Sequence, residues 1–166
     1  MPSKQKFILD KPVKIRWDPS KTVAENAAEK LPGLARVFFA AGRELVAVDA
    51  PFEALHHFRL LTKRFRYALE LFRPCYGPGL ELRIEALRML QTDLGEINDC
   101  ATTGELLLKR NDLRPAQRDW LAGNLQMLAG VRIARFRRNW HDEFGPPEKE
   151  RRWIEYLTRY AAPRRK

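Results

Sequence analysis

The chain has 166 residues, 45% of them hydrophobic, which is enough for one domain with a core of its own. Its 31 Lys and Arg against 21 Asp and Glu give a formal net charge of +10, which predicts an acidic partner: nucleic acid, a membrane surface or a phosphate-rich ligand. A basic surface that is merely solvated is the alternative. With no apolar run of about 18 residues and no recognisable signal peptide, we expect a soluble intracellular protein without a membrane segment.

Three regions are predicted along the chain. Residues 1–19 form a basic leader, residues 20–162 a helical domain, and residues 163–166 a basic tail. Within the leader, apolar residues alternate with polar ones, so it could lie against the domain as an extended strip. These apolar residues are Phe7, Leu9, Val13, Ile15 and Trp17.

Helix signals dominate the predicted domain, and β-hairpin signals are absent. Asp18-Pro19 predicts the start of the first helix, and Pro32-Gly33 predicts a kink or break within it. The sequence therefore predicts an all-α fold, a helical bundle of four or five main helices. Pro and Gly separate these helices at residues 49–51, 74–79, 111–115 and 145–147.

The second helix, expected over residues 51–73, carries the strongest functional pattern. At about 100° per residue, one side collects apolar residues and is predicted to face the core. The roughly opposite side collects cations, and a row of like charges is unfavourable unless something compensates, so we expect a bound polyanion there. A plain exposed basic face is the alternative. The core side contains Phe58, Leu61, Phe65, Ala68, Leu69 and Phe72; the basic row contains His56, Arg59, Lys63, Arg66 and Glu70, with Tyr67 at its edge.

The residue types in the basic row suit phosphate. Arg presents a planar fork to two oxygens, Lys a compact charge, and Tyr a hydroxyl donor. His56 could donate to phosphate or form a hydrogen bond with another helix, and both interpretations stay open. Glu70 is expected to orient Arg66 or Lys63 rather than to meet the anion.

The third helix is predicted to combine an apolar stripe with polar residues that are poor helix formers. Gly95 is expected to let a neighbouring helix approach closely. Asn98 and Asp99 could satisfy backbone groups at a bend, or Asp99 could brace an arginine of the basic row. The apolar stripe contains Leu87, Leu90, Leu94 and Ile97.

The fourth helix has an apolar stripe that turns cationic. Arg132 and Arg135 continue the line of leucines, so they could join the ligand site or form salt bridges, and both possibilities stay open. The aromatic residues that follow are predicted to belong to the core. The leucines are Leu121, Leu125 and Leu128, and the aromatic residues are Phe136, Trp140 and Phe144.

Two segments together resemble the CHAD family, the conserved histidine α-helical domain. They are Leu55-His56-His57-Phe58-Arg59 with Lys63-Arg64-Phe65-Arg66-Tyr67, and Leu90-Gln91 with Leu94-Gly95-Glu96-Ile97-Asn98-Asp99. The resemblance is specific across residues 51–105. It implies a helical bundle that binds inorganic polyphosphate through a basic cavity, lined by His56, Arg59, Lys63, Arg66 and Tyr67, with Arg88 as a further contact.

The basic-helix pattern occurs once, whereas members of this family commonly contain two related halves. Either one half is enough or two copies must come together, and we expect a homodimer. The first helix is the candidate interface because of its many apolar residues: Leu34, Val37, Phe38, Phe39, Leu45 and Val46.

Catalytic signals are lacking, so we expect a binding protein rather than an enzyme, with no metal and no cofactor. The chain has only Ser3 and Ser20 as serines, no phosphate-binding glycine loop, and three histidines without metal-ligand spacing. Cys75 and Cys100 are predicted to be buried thiols of a reducing cytosol.

The expected ligand is polyphosphate, and the expected location is the cytoplasm, in association with polyphosphate granules. A nucleic-acid-binding helical domain is the main alternative, and a scaffold for an acidic protein a third.

Overall fold

The computed structural model describes residues 16–159 and 161, and in this part of the chain it shows five α-helices and no strand. The all-α prediction is therefore confirmed. None of these helices is both long enough and apolar enough to cross a membrane. The helices are α1 (Val23–Ala47), α2 (Phe52–Leu71), α3 (Gly79–Leu108), α4 (Pro115–Glu143) and α5 (Pro147–Arg159), with a short 3-10 turn at Arg73–Cys75.

Most of the predicted leader, and the whole tail, lie outside the described residues. Trp17 is described, and its ring centroid lies 4.9 Å from that of Phe72. This end of the leader thus lies against α2, as the strip prediction requires; the other apolar residues of the strip precede residue 16.

The start of α1 differs from the prediction. Thr22, not Asp18, is the N-cap residue: the backbone N–H of Glu25 donates to the Thr22 hydroxyl at 3.2 Å, and the Thr22 N–H donates to the Glu25 carboxylate at 2.7 Å. This reciprocal capping box satisfies two backbone donors that a helix start otherwise leaves unpaired. Asp18 instead accepts hydrogen bonds from Ser20 in the preceding turn.

Of the kink or break predicted at Pro32-Gly33, the break does not occur, because α1 continues through both residues. Pro32 is buried, and Leu31, Leu34 and Ala35 around it are buried as well. Packing of this apolar face outweighs the missing backbone hydrogen bond, since most helix stability in proteins comes from tertiary contacts.

The core is an aromatic cluster in which four helices meet. Phe38 of α1 contacts the rings of Phe58 and Phe65 on α2 and Trp140 on α4, with centroid separations of 5.4–5.5 Å. Trp153 of α5 packs against Phe65 at 5.8 Å. The predicted core face of α2 and the three aromatic residues of the fourth helix are all buried, which confirms those predictions.

This packing overturns the predicted dimer interface on α1. Leu34, Phe38, Phe39 and Leu45 are at most 3% exposed, so the core of a single chain already consumes them. The first helix therefore has no large apolar face left for a partner. Sequence reasoning counted its apolar residues correctly but could not tell that one chain buries them.

The ends of α3 and α4 extend beyond the core. These helices are about 45 and 43 Å long, against about 30 Å for α2. Between Cys100 on α3 and Ala129 on α4 no residue is buried. We call residues 101–128 the α3–α4 hairpin; its two helices pack on each other and leave much of their surface in solvent.

Candidate anion-binding site

The basic row of α2 lies along the side where α2 meets α3. His56 Nδ1 lies 2.8 Å from Asn98 Oδ1 at one end, and Arg88 Nη2 donates to Glu70 Oε1 at 3.1 Å at the other. These two contacts show that α2 and α3 run antiparallel. The cations of the basic row lie along α2 between the two contacts. We call the space between these two sides the α2–α3 groove. Helical spacings of three and four assign to it His56, Arg59, Lys63, Arg66, Tyr67 and Glu70 on α2, and Arg88, Gln91, Gly95 and Asn98 on α3.

The α2 orientation agrees with the sequence prediction. His56, Lys63 and Tyr67 are exposed and Arg59 and Arg66 are half-buried, while the phenylalanines opposite them are buried. The row is thus open to solvent. A cavity of about 500 Å³ beside its His56 end is also lined by Asn98 but not by Arg59, Lys63 or Arg66. An enclosed basic cavity stays a prediction.

Tyr67 is the aromatic residue of the groove, and two cations approach its ring. The Arg66 guanidinium carbon lies 4.7 Å from the ring centroid and Lys63 Nζ lies 5.6 Å from it. Cation–π contact at these distances holds both side chains near the ring. The hydroxyl of Tyr67 stays available as a donor at the exposed edge.

Glu70 links the two walls of the groove. Its Oε1 accepts hydrogen bonds from Arg66 Nη1 at 2.7 Å and from Arg88 Nη2 at 3.1 Å. Hydrogen bonds to Glu85 and to Glu70 raise the pKa of Arg88 above its usual value. Glu70 therefore orients Arg66, as the sequence predicted, and it brings Arg88 to the same place.

Gly95 does not play the role predicted for it. A Cβ atom at this position would meet no other atom within 4 Å, so no neighbouring helix requires a glycine here. Instead, the missing side chain leaves space on the α3 wall between Arg88 and Asn98.

The predicted bend at Asn98-Asp99 is wrong, because α3 is continuous through both residues. Asn98 instead holds His56, and its Nδ2 lies 3.5 Å from the Thr102 hydroxyl as donor. Of the two possibilities for His56, the structure shows the bond to another helix through Nδ1, which leaves Nε2 for a ligand. Asp99 is exposed, and within the described residues no arginine of the basic row contacts it.

Arg132 and Arg135 are not brought into the groove. Arg132 donates to the Glu96 carbonyl at 2.7 Å, and Arg135 donates to Asp93 at 2.8 Å and to Glu96 at 2.6 Å. The hydrogen bond to Glu96 raises the pKa of Arg135. On α3, Asp93 and Glu96 lie on average about 150° around the helix from the groove residues. Both arginines therefore fasten α4 to the other side of α3.

Sequence reasoning missed Gln91 and Asn98 as groove residues. The signal was present in the spacing of Arg88, Gln91, Gly95 and Asn98, which places all four on one side of a helix. Using it required knowing which side of α3 faces α2.

Comparison with known proteins agrees with the architecture. The family model described as the CHAD domain matches residues 6–108, which span the end of the predicted leader, α1, α2 and α3. Residues 109–166, with α4 and α5, lie outside the match. No curated protein and no solved structure matches the chain significantly.

Proposed function

The chain belongs to the CHAD domain family, which is associated with polyphosphate binding, and we propose that it binds inorganic polyphosphate along the α2–α3 groove without altering it chemically. The observation that carries this proposal is the joining of two cationic walls. Glu70 accepts hydrogen bonds from Arg66 of α2 and from Arg88 of α3. Arg59 and Lys63 lie on the same side of α2 as Arg66 by helical spacing.

The row suits a linear polyanion because its charges repeat. Arg59, Lys63 and Arg66 follow one another at intervals of about one helical turn, or roughly 5 Å along the axis. A chain of linked phosphates carries negative charge at regular intervals and can meet each cation in turn.

The way the Glu70 carboxylate is used supports the proposal of binding without catalysis. Hydrolysis of phosphoanhydrides normally relies on carboxylates that hold Mg²⁺ beside the phosphates. Glu70 is instead occupied by two guanidinium groups. We therefore assign the groove to holding the ligand, and Arg132 and Arg135 to holding α4.

Nucleic acid is the second candidate ligand, since its phosphates attract the same side chains. Proteins that bind single strands add aromatic rings on which bases stack. Tyr67 is the aromatic residue of the groove and is 48% exposed, but Arg66 and Lys63 already lie near its ring. This arrangement favours a ligand recognised through phosphate alone.

A competition assay separates the two ligands: labelled long-chain polyphosphate is displaced by unlabelled polyphosphate, RNA or DNA at matched charge and salt. We expect polyphosphate to bind at least about tenfold more tightly, a difference of ~1.4 kcal/mol.

Arg59→Ala, Lys63→Ala and Arg66→Ala should each weaken polyphosphate binding about tenfold, because each removes a charge-assisted contact. Arg151→Ala, at an exposed position of α5 outside the groove, removes the same charge and should change affinity less than twofold. Equal or tighter binding of RNA would favour the alternative.

A steric variant tests the groove without changing any charge. Gly95→Leu fills the space on the α3 wall and should weaken polyphosphate binding about tenfold or more, whereas its matched control, Gly104→Leu, lies on the opposite side of α3 in open space. Neither should lower stability, since Leu is a better helix former than Gly by nearly 1 kcal/mol. Unchanged binding by Gly95→Leu would place the ligand elsewhere.

A further inference from the structure

The outer side of α4 carries an exposed stripe without charge. Its residues recur at alternating spacings of four and three, the pattern of a coiled-coil seam. All of them are exposed, Trp120 by 67% and Met127 by 68%. We call this stripe the α4 seam; it contains Ala116, Trp120, Gly123, Met127, Gly130 and Ala134.

Among the described residues, nothing covers the seam. The buried residues of α4 are Ala129, Phe136 and Trp140, and the seam lies about 140° around the helix from them. It extends for about 27 Å along the axis. Large exposed side chains in a continuous line of this length are typical of a surface that binds a partner.

Within the part of the chain that the structure describes, no contact explains the two glycines of the seam. A Cβ at Gly123 or at Gly130 would meet no atom within 4 Å. Each glycine in the interior of a helix costs about 1 kcal/mol relative to alanine, so the pair weakens α4 with no compensating contact in one chain. A second helix that approaches closely would make use of both.

The seam is complementary to itself when two copies run antiparallel. We place the twofold axis at the height of residue 125 along α4. Trp120 of one copy then faces Gly130 of the other, Met127 faces Gly123, and Ala116 faces Ala134. Both large side chains then meet a glycine, as knobs meet holes, and the same surface serves both copies.

The seam is also a place where two strongly basic chains can meet with little repulsion. Lys and Arg make up 31 of the 166 residues, yet none occurs from Asp119 to Val131. The flanking positions Gln117, Asn124 and Gln126 are uncharged and polar. Contact through the Lys- and Arg-rich parts of the surface would instead place like charges of two +10 chains close together.

We propose that two copies of this chain associate through the α4 seam as an antiparallel twofold dimer. The seam lies outside the matched residues 6–108 and on the side of α4 turned away from α3. The α2–α3 groove therefore stays accessible in both copies, and the proposal does not depend on which ligand the groove takes.

The test begins with the mass of the full chain in solution, by light scattering and sedimentation over a concentration series. We expect twice the chain mass of 19.4 kDa. Gly130→Leu fills the space that receives Trp120 and should weaken the dimer at least tenfold, whereas Gly33→Leu, at an exposed glycine of α1, should not. A monomer at every concentration, or a dimer insensitive to Gly130→Leu, would overturn the proposal.

Cysteine cross-linking tests the antiparallel register. Asn124 lies beside the axis, so Asn124→Cys should oxidise to a covalent dimer. Gln117→Cys should not, because its copies would lie about 24 Å apart, beyond disulfide reach. A mixture of Gln117→Cys and Val131→Cys should cross-link, since these two positions lie on one flank of the seam and only about 3 Å apart along the axis. Efficient linkage of Gln117→Cys to itself would show a parallel pair and contradict the register.

Discussion

Glu70 has two opposing effects on the groove. Its carboxylate holds Arg66 and Arg88 in place because it accepts a hydrogen bond from each guanidinium group. It also places a negative charge where the proposed ligand brings more. Two unit charges 4 Å apart in water repel by about 1 kcal/mol, whereas orienting an arginine that packing already holds gains less. Arg66 is such an arginine, with only 17% of its side chain exposed.

We therefore expect Glu70→Gln to tighten polyphosphate binding about two- to fivefold at low salt, since the amide keeps one acceptor and loses the charge. The gain should shrink as salt rises, because screening weakens the repulsion that was removed. Titration calorimetry at two ionic strengths measures both effects. Glu85→Gln, at a more exposed partner of Arg88, is the matched control and should show a smaller gain. Weaker binding by Glu70→Gln would mean that the orienting effect of Glu70 on the arginines outweighs its repulsion of the ligand.

At the scale of single residues, the sequence predicted which side of α2 is basic, because that depends only on the helical repeat. It could not predict the bond between His56 and Asn98, which depends on how α2 and α3 are aligned. The outcome for Arg135 has the same cause. Its partners Asp93 and Glu96 precede it by 42 and 39 residues, and only packing of α4 on α3 brings them together.

At the scale of helices, α1 contains a matched pair of glycines with opposite surroundings. Gly42 is buried, and a Cβ there would overlap the Trp140 ring of α4, whereas Gly33 is exposed and a Cβ there would meet nothing within 4 Å. The close approach of α1 and α4 thus depends on Gly42. Gly33 merely weakens its own helix.

Gly42→Ala should destabilise the fold by about 2 kcal/mol or more, because Trp140 and its ring neighbours must move in a packed core. Gly33→Ala should instead stabilise it by up to about 1 kcal/mol through helix propensity. Urea unfolding followed by circular dichroism measures both free energies of unfolding. Similar effects of the two substitutions would show that α1 and α4 are not in close contact at Gly42.

The observed helix boundaries show which Pro, Gly and capping residues in the sequence correctly predicted where helices begin and end. Pro and Gly clusters separated the helices correctly, since they break backbone hydrogen bonding wherever they stand in solvent. Pro32 did not, because it is buried in the face that α1 turns to the core. Asp18 was a plausible cap, yet Thr22 with Glu25 satisfies one more backbone donor and sets the start.

At the scale of the whole molecule, the sequence predicted the fold class and the family but not the distribution of apolar surface. The apolar residues of α1 were assigned to a partner although the core uses them, and no prediction was made for the exposed apolar residues on the outside of α4. The error and the omission have one physical origin. Hydrophobic periodicity shows that a helix has an apolar side, but only the arrangement of helices shows whether another helix covers it.

The position of the α4 seam, facing away from the α2–α3 groove, gives the proposed dimer two outward-facing binding sites for a polymer. A long polyphosphate chain can then occupy grooves on different dimers and link them into a network, whereas a short chain fills one groove and links nothing. We expect turbidity on mixing with long polyphosphate, greatest at intermediate ratios and dissolved by excess ligand, which saturates each dimer separately. Gly130→Leu should abolish the turbidity while leaving binding by each groove intact. Turbidity that persists in this variant would require another route to cross-linking.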